Sequence, residues 1–591
     1  MAAIRYRIEP IDLAAHLFEV RLEIEAPEPN GQVLRLPAWI PGSYMIRDFA
    51  RNIVSVSAEA GGKKVSIEKL DKQTWQCGRV PQGRALQLTY TVYAWDLSVR
   101  AAHLDQTHGF FNGTSVFLSV DGQEEQPCLV EICAPAKGAI GDWKVATAMR
   151  EAKGKKGAAK RHGFGLYQAE NYDELIDHPV EMGDFTLASF KAGGITHEVV
   201  LTGVHDCDTE RLCADLTKIC QWQIDLFGGT PPMDRYVFLT MITGDGYGGL
   251  EHRASTALLT SRHDLPWKGM TGLTEAYQRF LGLCSHEYFH SWNVKRIKPA
   301  RFVPYALAEE RYTRLLWAFE GFTSYFDDLC LVRSGVVEPA AYLKALAEVI
   351  TRVERGSGRL KQSVAESSFD AWSKFYKQDE NAPNAIVSYY TKGSLIALCL
   401  DLKLRVQSKG KLSMDDVMRA LWRQYGQTGV GVPEDGIFSV VDHLADEATA
   451  RWLKRTVSGT EDLPLASLLK SAGVSLSRVP GKRPSLGVRL KSTSGPATLA
   501  VVHEGSAAHQ AGLSAGDELI SIDGLRVTAN GLDGVLDRKA AGDALSVLYF
   551  RRDELMGAEL VLQLADESVQ LALVPKPDAA ARGVRKGWIG G

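Results

Sequence analysis

The chain has 591 residues, of which 45% are hydrophobic and 24% are charged, and its formal net charge is −3 at pH 7. This length exceeds a single hydrophobic core and predicts about three or four domains. Because basic and acidic residues nearly balance and no apolar run is long enough to cross a bilayer, neither a nucleic-acid partner nor a membrane partner is expected.

Two further features indicate the compartment. The nine cysteines form no CxxC pair, so we expect reduced core residues and no disulfide framework. The amino terminus, MAAIRYRIEPIDLAAH, carries charges at Arg5, Arg7, Glu9 and Asp12, so no apolar leader can be drawn through it. We therefore expect a cytoplasmic protein.

Residues 1–185 are predicted to form an amino-terminal antiparallel β domain. Apolar and polar residues alternate through RYRIEP, LFEVRLEIEA, LQLTYTVYAW and CLVEICAP, and Gly, Pro and Asn interrupt these runs. Alternation with a period of two is typical of strands that place one face on a core.

Residues 186–475 are predicted to form an α/β domain that is helix-rich from about residue 270. A short β segment comes first, TERLCADLTKICQWQIDLFG has helical spacing, and YVFLTMIT has the composition of a buried strand. The expected fold class is therefore a multidomain α+β chain.

The most informative motif is HExxH, formed by His286, Glu287 and His290 within LGLCSHEYFHSWNVKRIKP. Residues four apart share a helix face, so the two imidazoles can bind one zinc ion at about 2 Å while Glu287 points towards the reacting water. Apolar flanks at helical spacing predict a buried helix that ends by Pro299. A chance match is the alternative.

A catalytic zinc site needs a third protein ligand, and the candidate is Glu320 in LLWAFEGFTSYFDDL. It follows His290 by 30 positions, which allows the first helix to end and a second to return. Its neighbours are strongly apolar, and zinc would neutralise a carboxylate buried among them. The alternative is a helix-terminal charge or a salt bridge.

HEYFHSWNVKRIKP followed by WAFEGFTSYF resembles the gluzincin zinc metallopeptidases, and specifically the glycyl aminopeptidase family. The resemblance implies a thermolysin-like catalytic domain over residues 186–475 and one zinc ion per chain, held by His286, His290 and Glu320. The segment LPAWIPGSYMIRDFARNI is also typical of this family and extends the resemblance into the amino-terminal third.

Gly248, Gly249, Glu251 and His252 belong to GYGGLEH, which is similar to the motif with which related aminopeptidases hold the free amino terminus of the substrate. Glycines let an extended peptide approach the backbone closely, and Glu251 can accept a charge-assisted hydrogen bond from an ammonium. His252 departs from the asparagine that is usual there in the wider superfamily. A turn with an incidental acid is the alternative.

SYYTKGSL resembles the family motif whose tyrosine donates a hydrogen bond to the tetrahedral oxyanion. Tyr390 has the family spacing to the Lys-Gly pair, whereas the adjacent Tyr389 is predicted to be a packing residue.

Asp327 lies seven positions after Glu320 on the same helical face, and could orient a ligating histidine. A solvated or helix-charge role for Asp327 or Asp328 is the alternative.

After a basic linker near residues 478–484, PSLGVRL and EGSAAHQAGLSAGDELISIDGLRV resemble a PDZ domain, which we place at residues 484–574. Its carboxylate-binding loop would be Ser485, Leu486, Gly487 and Val488, whose backbone N–H groups can capture a peptide carboxyl terminus. Ser485 and Val488 depart from the common Gly-Leu-Gly-Phe form. A structural or dimerising role is therefore the alternative to peptide capture. Residues 575–591 are predicted to be a flexible tail.

Together these motifs predict a zinc-dependent aminopeptidase that hydrolyses the amino-terminal residue from peptides with a free amino terminus. The resemblance alone implies a preference for Gly or Ala. Two alternatives are a zinc endopeptidase and a PDZ peptide-binding scaffold with an inert peptidase fold. The oligomeric state is not predicted.

Overall fold

The computed structural model describes residues 3–590, so residues 1 and 2 of the predicted β domain and residue 591 of the predicted tail lie outside the described residues. The chain forms two compact units. The first comprises the chain up to Arg311 with Phe326–Val337 and Arg419–Pro433. The second comprises Tyr312–Tyr325, Glu338–Met418 and the chain from Glu434 onward.

The first unit begins with a β region, as predicted. Its strands are β1 (Ile4–Asp12), β2 (Leu17–Ile24), β3 (Val33–Arg35), β4 (Ile53–Ala60), β5 (Lys63–Val65), β6 (Ile67–Lys69), β7 (Thr74–Cys77), β8 (Leu86–Tyr93), β9 (Ala102–Leu104), β10 (His108–Phe111), β11 (Ser119–Val120), β12 (Cys128–Ile132), β13 (Lys144–Ala146), β14 (Arg150–Glu151), β15 (Gly165–Ala169) and β16 (Val180–Gly183). Two short helices, α1 (Gly113–Val116) and α2 (Tyr172–Ile176), interrupt them.

These strands form three sheets, with the orders β14-β15-β12-β1-β2-β8-β4-β5, β13-β16-β10-β9 and β11-β3-β7-β6. β1 pairs with β12 in parallel, and the neighbouring pairs β1–β2, β2–β8 and β4–β8 are antiparallel. The predicted alternation explains the packing, because Phe18, Val20 and Leu22 of β2 are buried in the core and the residues between them are more exposed.

A mixed sheet follows within the same unit. It contains β17 (Thr186–Ala192), β18 (Ile195–Thr202), β19 (Arg235–Thr243), β20 (Tyr247–Glu251) and β21 (Ser255–Ser261) in the order β17-β18-β19-β21-β20. β18, β19 and β21 are parallel, and β20 joins β21 antiparallel at the edge. The glycine-rich motif therefore lies on an edge strand, one side of which has no strand partner among residues 3–590.

Helices dominate from residue 275, as predicted. They are α4 (Glu275–Phe289), α5 (Leu316–Phe319), α6 (Gly321–Arg333), α7 (Pro339–Arg355), α8 (Val364–Phe369), α9 (Ala382–Ala385), α10 (Thr391–Gln407), α11 (Met414–Leu421), α12 (Gly436–Leu444), α13 (Glu447–Ser458) and α14 (Leu465–Ser471), after α3 (Thr209–Leu226) between β18 and β19. Short 3-10 helices span Phe49–Asn52, Arg262–Asp264, Ala300–Phe302, Ser357–Leu360, Asp370–Trp372 and Phe375–Lys377, and a π turn spans Trp422–Gly426.

The motif helix α4 is shorter than the sequence predicted. It begins after Thr274, whose hydroxyl accepts a hydrogen bond from the backbone N–H of Tyr277, and it ends at Phe289 with His290 as the C-cap. The helix thus ends well before Pro299, and the apolar spacing that continues through Trp292 and Val294 does not belong to it. The chain turns sharply because Val294 takes a left-handed conformation, with φ of 103°.

The carboxyl-terminal part of the second unit contains a small β domain. Its strands are β22 (Val474–Val479), β23 (Pro484–Ser485), β24 (Val488–Leu490), β25 (Ala497–Val502), β26 (Glu518–Ile522), β27 (Leu525–Arg526), β28 (Ala544–Arg551), β29 (Glu554–Val561), β30 (Gln563–Leu564) and β31 (Ser568–Leu573), with helices α15 (Ala507–Gln510) and α16 (Leu532–Leu536). The main sheet has the order β24-β25-β26-β28-β29 and encloses its own apolar core.

The last segment is a helix, α17 (Ala579–Ile589), capped by the Asp578 side chain. The predicted flexible tail over residues 575–591 was therefore wrong for this stretch. Its apolar residues recur at helical spacing, and Trp588 is fully buried, with its ring 5.9 Å from that of Tyr342. Among residues 3–590, no helix combines the length and the apolar character that crossing a membrane requires.

Candidate metal centre

His286 and His290 lie one turn apart at the carboxyl end of α4, and each ring is fixed through its Nδ1 atom. His286 Nδ1 lies 2.9 Å from Asp327 Oδ2, and His290 Nδ1 lies 2.7 Å from the backbone oxygen of Asn293. Carboxylate and carbonyl oxygens accept hydrogen bonds here, so both Nδ1 atoms donate. In the neutral imidazole, each Nε2 therefore presents a lone pair.

The two Nε2 atoms lie 3.1 Å apart. Two lone pairs facing each other at this distance repel, and a cation between them removes the repulsion. Two nitrogens that share one tetrahedral zinc ion at about 2.0–2.1 Å lie ~3.3 Å apart. The residues present thus fit a zinc ion, and the outer hydrogen bonds are those that orient metal-binding histidines.

Asp327 lies on α6 within the same unit as α4, and its side chain is not a solvated helix charge. Burial raises the pKa of Asp327 above its ordinary value, although the contact with His286 opposes the shift. Ser285 secures the helices, because its hydroxyl donates to the Asp327 backbone oxygen and it accepts from Gln223 of α3, each at 2.9 Å. Three helices are therefore joined beneath the histidine pair.

Two carboxylates lie beside His290. One oxygen of Glu251, one oxygen of Glu287 and one ring nitrogen of His290 all lie within 4.8 Å of one another. Glu251 is 3% and Glu287 5% exposed. Carboxylates brought this close in a buried site favour a positive charge between or beside them. A bound cation would satisfy that requirement.

Two glycines make room for these carboxylates. A Cβ on Gly249 of β20 would lie 2.0 Å from Glu287 Oε1, and a Cβ on Gly42 would lie 2.4 Å from Glu251 Oε2. Gly42 belongs to the PGSYMIRD segment of the amino-terminal β region, and its φ is +97°. That segment therefore packs against the Glu251 carboxylate, and any larger residue at Gly42 or Gly249 would displace a carboxylate.

The histidine at position 252 belongs to a buried charge cluster next to the site. Its Nδ1 lies 3.3 Å from Asp177 Oδ1, and the Lys295 Nζ atom lies 2.6 Å from the same oxygen. Burial alone would raise the pKa of Asp177, but Lys295 and Arg253 outweigh it and hold that pKa well below its ordinary range. Burial lowers the pKa of His252, which favours its neutral imidazole, although the contact with Asp177 opposes the shift.

This cluster fixes the loop after α4. Lys295 follows Val294, a buried β-branched residue whose φ of 103° is a strained backbone conformation. The strain is compensated locally, because the Val294 N–H bonds to the Ile297 oxygen at 3.0 Å and the Lys295 N–H bonds to the His290 oxygen at 3.1 Å. The result is a tight turn that aims the Asn293 carbonyl at His290.

Glu320 lies in the second unit, between α5 and α6, and is 2% exposed. The start of α6 packs directly on the start of α10. A Cβ on Gly321 would lie 2.7 Å from the Gly393 Cα, and a Cβ on Gly393 would lie 2.8 Å from the Trp317 backbone oxygen. Only glycine allows this approach. Because Glu320 and Tyr390 flank the contact, it fixes the position of one relative to the other.

The two adjacent tyrosines differ in exposure. Tyr389 is fully buried, with its ring 4.6 Å from that of Phe375, as expected of a packing residue. Tyr390 is partly exposed, and its hydroxyl lies 3.3 Å from that of Tyr376. Tyr376, on a 3-10 helix, was not singled out from the sequence because no motif contains it.

The predicted carboxylate-binding loop of the β domain is braced by its own residues. The Gly487 N–H donates to Ser485 Oγ at 3.0 Å, and the Leu486 oxygen accepts from the Ala508 N–H at 3.0 Å. A Cβ on Gly487 would lie 2.2 Å from the Ser506 Cβ. Because Ser485 already uses one loop N–H, a peptide carboxylate would have to displace it.

This domain is also attached to the helices of its unit. Asn384 donates to the Val502 oxygen and accepts from the Glu504 N–H, each at 2.9 Å. Glu504 also pairs with Lys361 at 2.6 Å. The end of β25 is therefore held against the segment that precedes α10.

Comparisons with known proteins cover most of the chain. Residues 5–184 match the Peptidase M61 N-terminal domain, residues 279–396 match the M61 glycyl aminopeptidase, and residues 484–562 match the PDZ domain. The crystal structure of an aminopeptidase N family protein from Idiomarina loihiensis is 45% identical, covers 99% of this chain and 100% of its own, and has a TM-score of 0.93.

The M1 zinc metallopeptidase from Deinococcus radiodurans is 13% identical, covers 78% of this chain and 95% of its own, and has a TM-score of 0.50, so the likeness is one of fold. No curated protein matches this chain. The matches confirm the family and the PDZ domain that the motifs predicted. The chain therefore belongs to the M61 glycyl aminopeptidase family and is a metallo-aminopeptidase with a carboxyl-terminal PDZ domain.

Proposed function

We propose that this chain is a zinc-dependent aminopeptidase that removes amino-terminal Gly or Ala from peptides. The observation that carries the proposal is the histidine pair, because both Nδ1 atoms donate outward and the two Nε2 atoms lie 3.1 Å apart. His286 and His290 would hold one zinc ion, and Glu320 would supply the third protein ligand. When bound, zinc would supply Lewis acidity that acidifies the attacking water and polarises the scissile carbonyl.

The chain's own residues would carry the remaining steps. A carboxylate oxygen of Glu287 would accept the proton of the attacking water and return it to the leaving amine. The Tyr390 hydroxyl would donate a hydrogen bond to the oxyanion as charge develops. Glu251 would bind the substrate ammonium, so that only the first peptide bond reaches the reacting groups.

The substrate backbone would lie along β20. Gly248 and Gly249 lack side chains on this edge strand, so an extended peptide can approach it closely. The preference for Gly or Ala rests on the family to which the chain belongs. The same geometry would also serve an endopeptidase, but the buried Glu251 near Glu287 favours a substrate with a free ammonium.

The test is release of the amino-terminal residue from glycyl and alanyl p-nitroanilides, beside amino-acetylated copies, with and without removal of zinc by a chelator. We expect hydrolysis of the free amines alone, loss on chelation, recovery with zinc, and loss in Glu287→Gln. Equal cleavage of acetylated peptides would establish an endopeptidase instead. Activity that survives complete zinc removal would refute the proposal. If the zinc-loaded protein hydrolysed none of these substrates, the result would favour a PDZ scaffold.

A further inference from the structure

Arg100 lies beside the edge strand β20, although it comes from the loop between β8 and β9. Its Nη2 atom donates to the backbone oxygen of Gly249 at 3.3 Å. The loop is held rigidly, since buried Asn112 donates through Nδ2 to the Val99 oxygen at 2.8 Å and through its backbone N–H to the Ala101 oxygen at 3.0 Å. The two residues that flank Arg100 in the sequence are therefore both held in place.

Within the described part of the chain, the charge of Arg100 has no carboxylate counter-ion. Among residues 3–590, no carboxylate lies within ion-pair distance of its guanidinium, and its buried Nε atom has no hydrogen-bond partner. A partly buried guanidinium without a carboxylate is costly to maintain, and its planar donors suit a carboxylate ligand. Gly249 uses only Nη2, which leaves Nη1 for a bound anion.

The position of Arg100 along β20 indicates which anion. Glu251 and Gly249 are two residues apart on the strand and share a face, so they are separated by roughly 6–7 Å. Glu287 packs over Gly249, and one of its oxygens lies within 4.8 Å of a Glu251 oxygen. Along the strand, Glu251, which would bind the ammonium, therefore comes first, the proposed base Glu287 comes second, and Arg100 comes third. An extended dipeptide spans at most about 7 Å.

We propose that Arg100 binds the carboxyl terminus of short peptide substrates, so that the enzyme prefers dipeptides with a free carboxylate. This inference rests on the proposed function, because Glu251 must fix the amino terminus at the other end. Arg100 is a positioning and specificity residue in this scheme, since it contacts the leaving part of the substrate and takes no part in proton transfer.

The experiment compares kcat/KM of the zinc-loaded protein for Gly-Ala and for its carboxamide, Gly-Ala-NH2. We expect the free carboxylate to be preferred about 10- to 100-fold, the range of one charge-assisted hydrogen bond. Arg100→Gln keeps a donor for Gly249 without the charge, so it should abolish the preference through KM. Arg100→Lys keeps the charge and should retain part of the preference.

Arg279→Gln is the matched control, because Arg279 lies over Tyr247 at the same strand but is already paired with Asp264 at 2.9 Å. This control variant should keep the preference for the peptide with a free carboxylate. Calorimetric binding of both peptides to zinc-loaded Glu287→Gln gives a readout that does not need turnover. A wild-type enzyme that hydrolyses the anilide but treats the two peptides equally would overturn the Arg100 proposal and leave the aminopeptidase standing. Tighter binding of Gly-Ala without any hydrolysis would support Arg100 while refuting the proposed function.

Discussion

Replacing Gly249 with alanine should separate the position of the proposed base from the stability of the fold. The new Cβ would lie 2.0 Å from Glu287 Oε1, 2.5 Å from its Cδ and 2.7 Å from its Cγ. Non-bonded carbon–oxygen contacts below about 3 Å are strongly repulsive, so the outer Glu287 side chain must move by about 1 Å. A displacement of that size at a reacting group costs about 100-fold in rate.

The fold itself should tolerate the change. Gly249 does not adopt a positive φ, and alanine in a compatible conformation stabilises a chain by about 0.4–1 kcal/mol through its effect on the unfolded state. We therefore expect kcat/KM for glycyl p-nitroanilide to fall about 100-fold while Tm and zinc content stay unchanged. Gly248→Ala is the comparison, because its Cβ would come no closer than 3.9 Å to Arg100 Nη1, and it should lose far less activity. Activity of Gly249→Ala within about three-fold of wild type, with an unchanged Tm, would show that Glu287 does not act from this position.

Three further predictions concern the surroundings of the site. Asp327→Ala should weaken zinc binding by about 10- to 100-fold in competition with a chromogenic chelator, because His286 loses its orienting acceptor; unchanged affinity would contradict that role. Asp177→Ala should destabilise the first unit by about 3–5 kcal/mol at pH 7, since Lys295 would be left buried and unpaired. The folded-state pKa of Asp177 is depressed, so its contribution to the free energy of unfolding is full above the ordinary carboxyl pKa and is lost as the pH falls through the folded-state pKa. The loss of Tm between pH 5 and pH 2 should therefore be smaller in the variant than in the wild type. Asn384→Ala removes two hydrogen bonds to the PDZ domain and should accelerate tryptic cleavage near Lys482 by roughly 3- to 10-fold, whereas an unchanged rate would mean that other contacts hold the domain.

Local sequence patterns predicted many of the strands and the placement of the histidine pair, because the physical causes of these features are local. The four-residue spacing of His286 and His290 placed them on one helix face, and the structure puts their Nε2 atoms 3.1 Å apart. Alternation of apolar residues predicted strands such as β2. The end of α4 was missed because helical spacing continues past Phe289 while the strained Val294 turns the backbone, and no pattern of apolar residues reports a positive φ.

Other features depend on residues far apart in sequence. Asp177 meets Lys295, and Arg100 meets Gly249, only because the amino-terminal β region packs on the mixed sheet. A single sequence contains no signal for such pairs, although a lysine inside the apolar run around the histidine motif was a hint that it had a buried partner. The helix at residues 579–589 was missed because Gly, Ala and charge dominate it, and its order comes from burying Trp588.

The contact between Gly321 and Gly393 has a consequence for how variants of this enzyme should be interpreted. The backbones of α6 and α10 touch beside Glu320 and Tyr390, so a shift at this contact displaces both residues. A methyl group at either glycine would push both side chains at once. With the roles proposed for Glu320 and Tyr390, a single substitution that touches neither side chain would then reduce metal retention and turnover together, and a mutational scan would score two glycines as if they were catalytic.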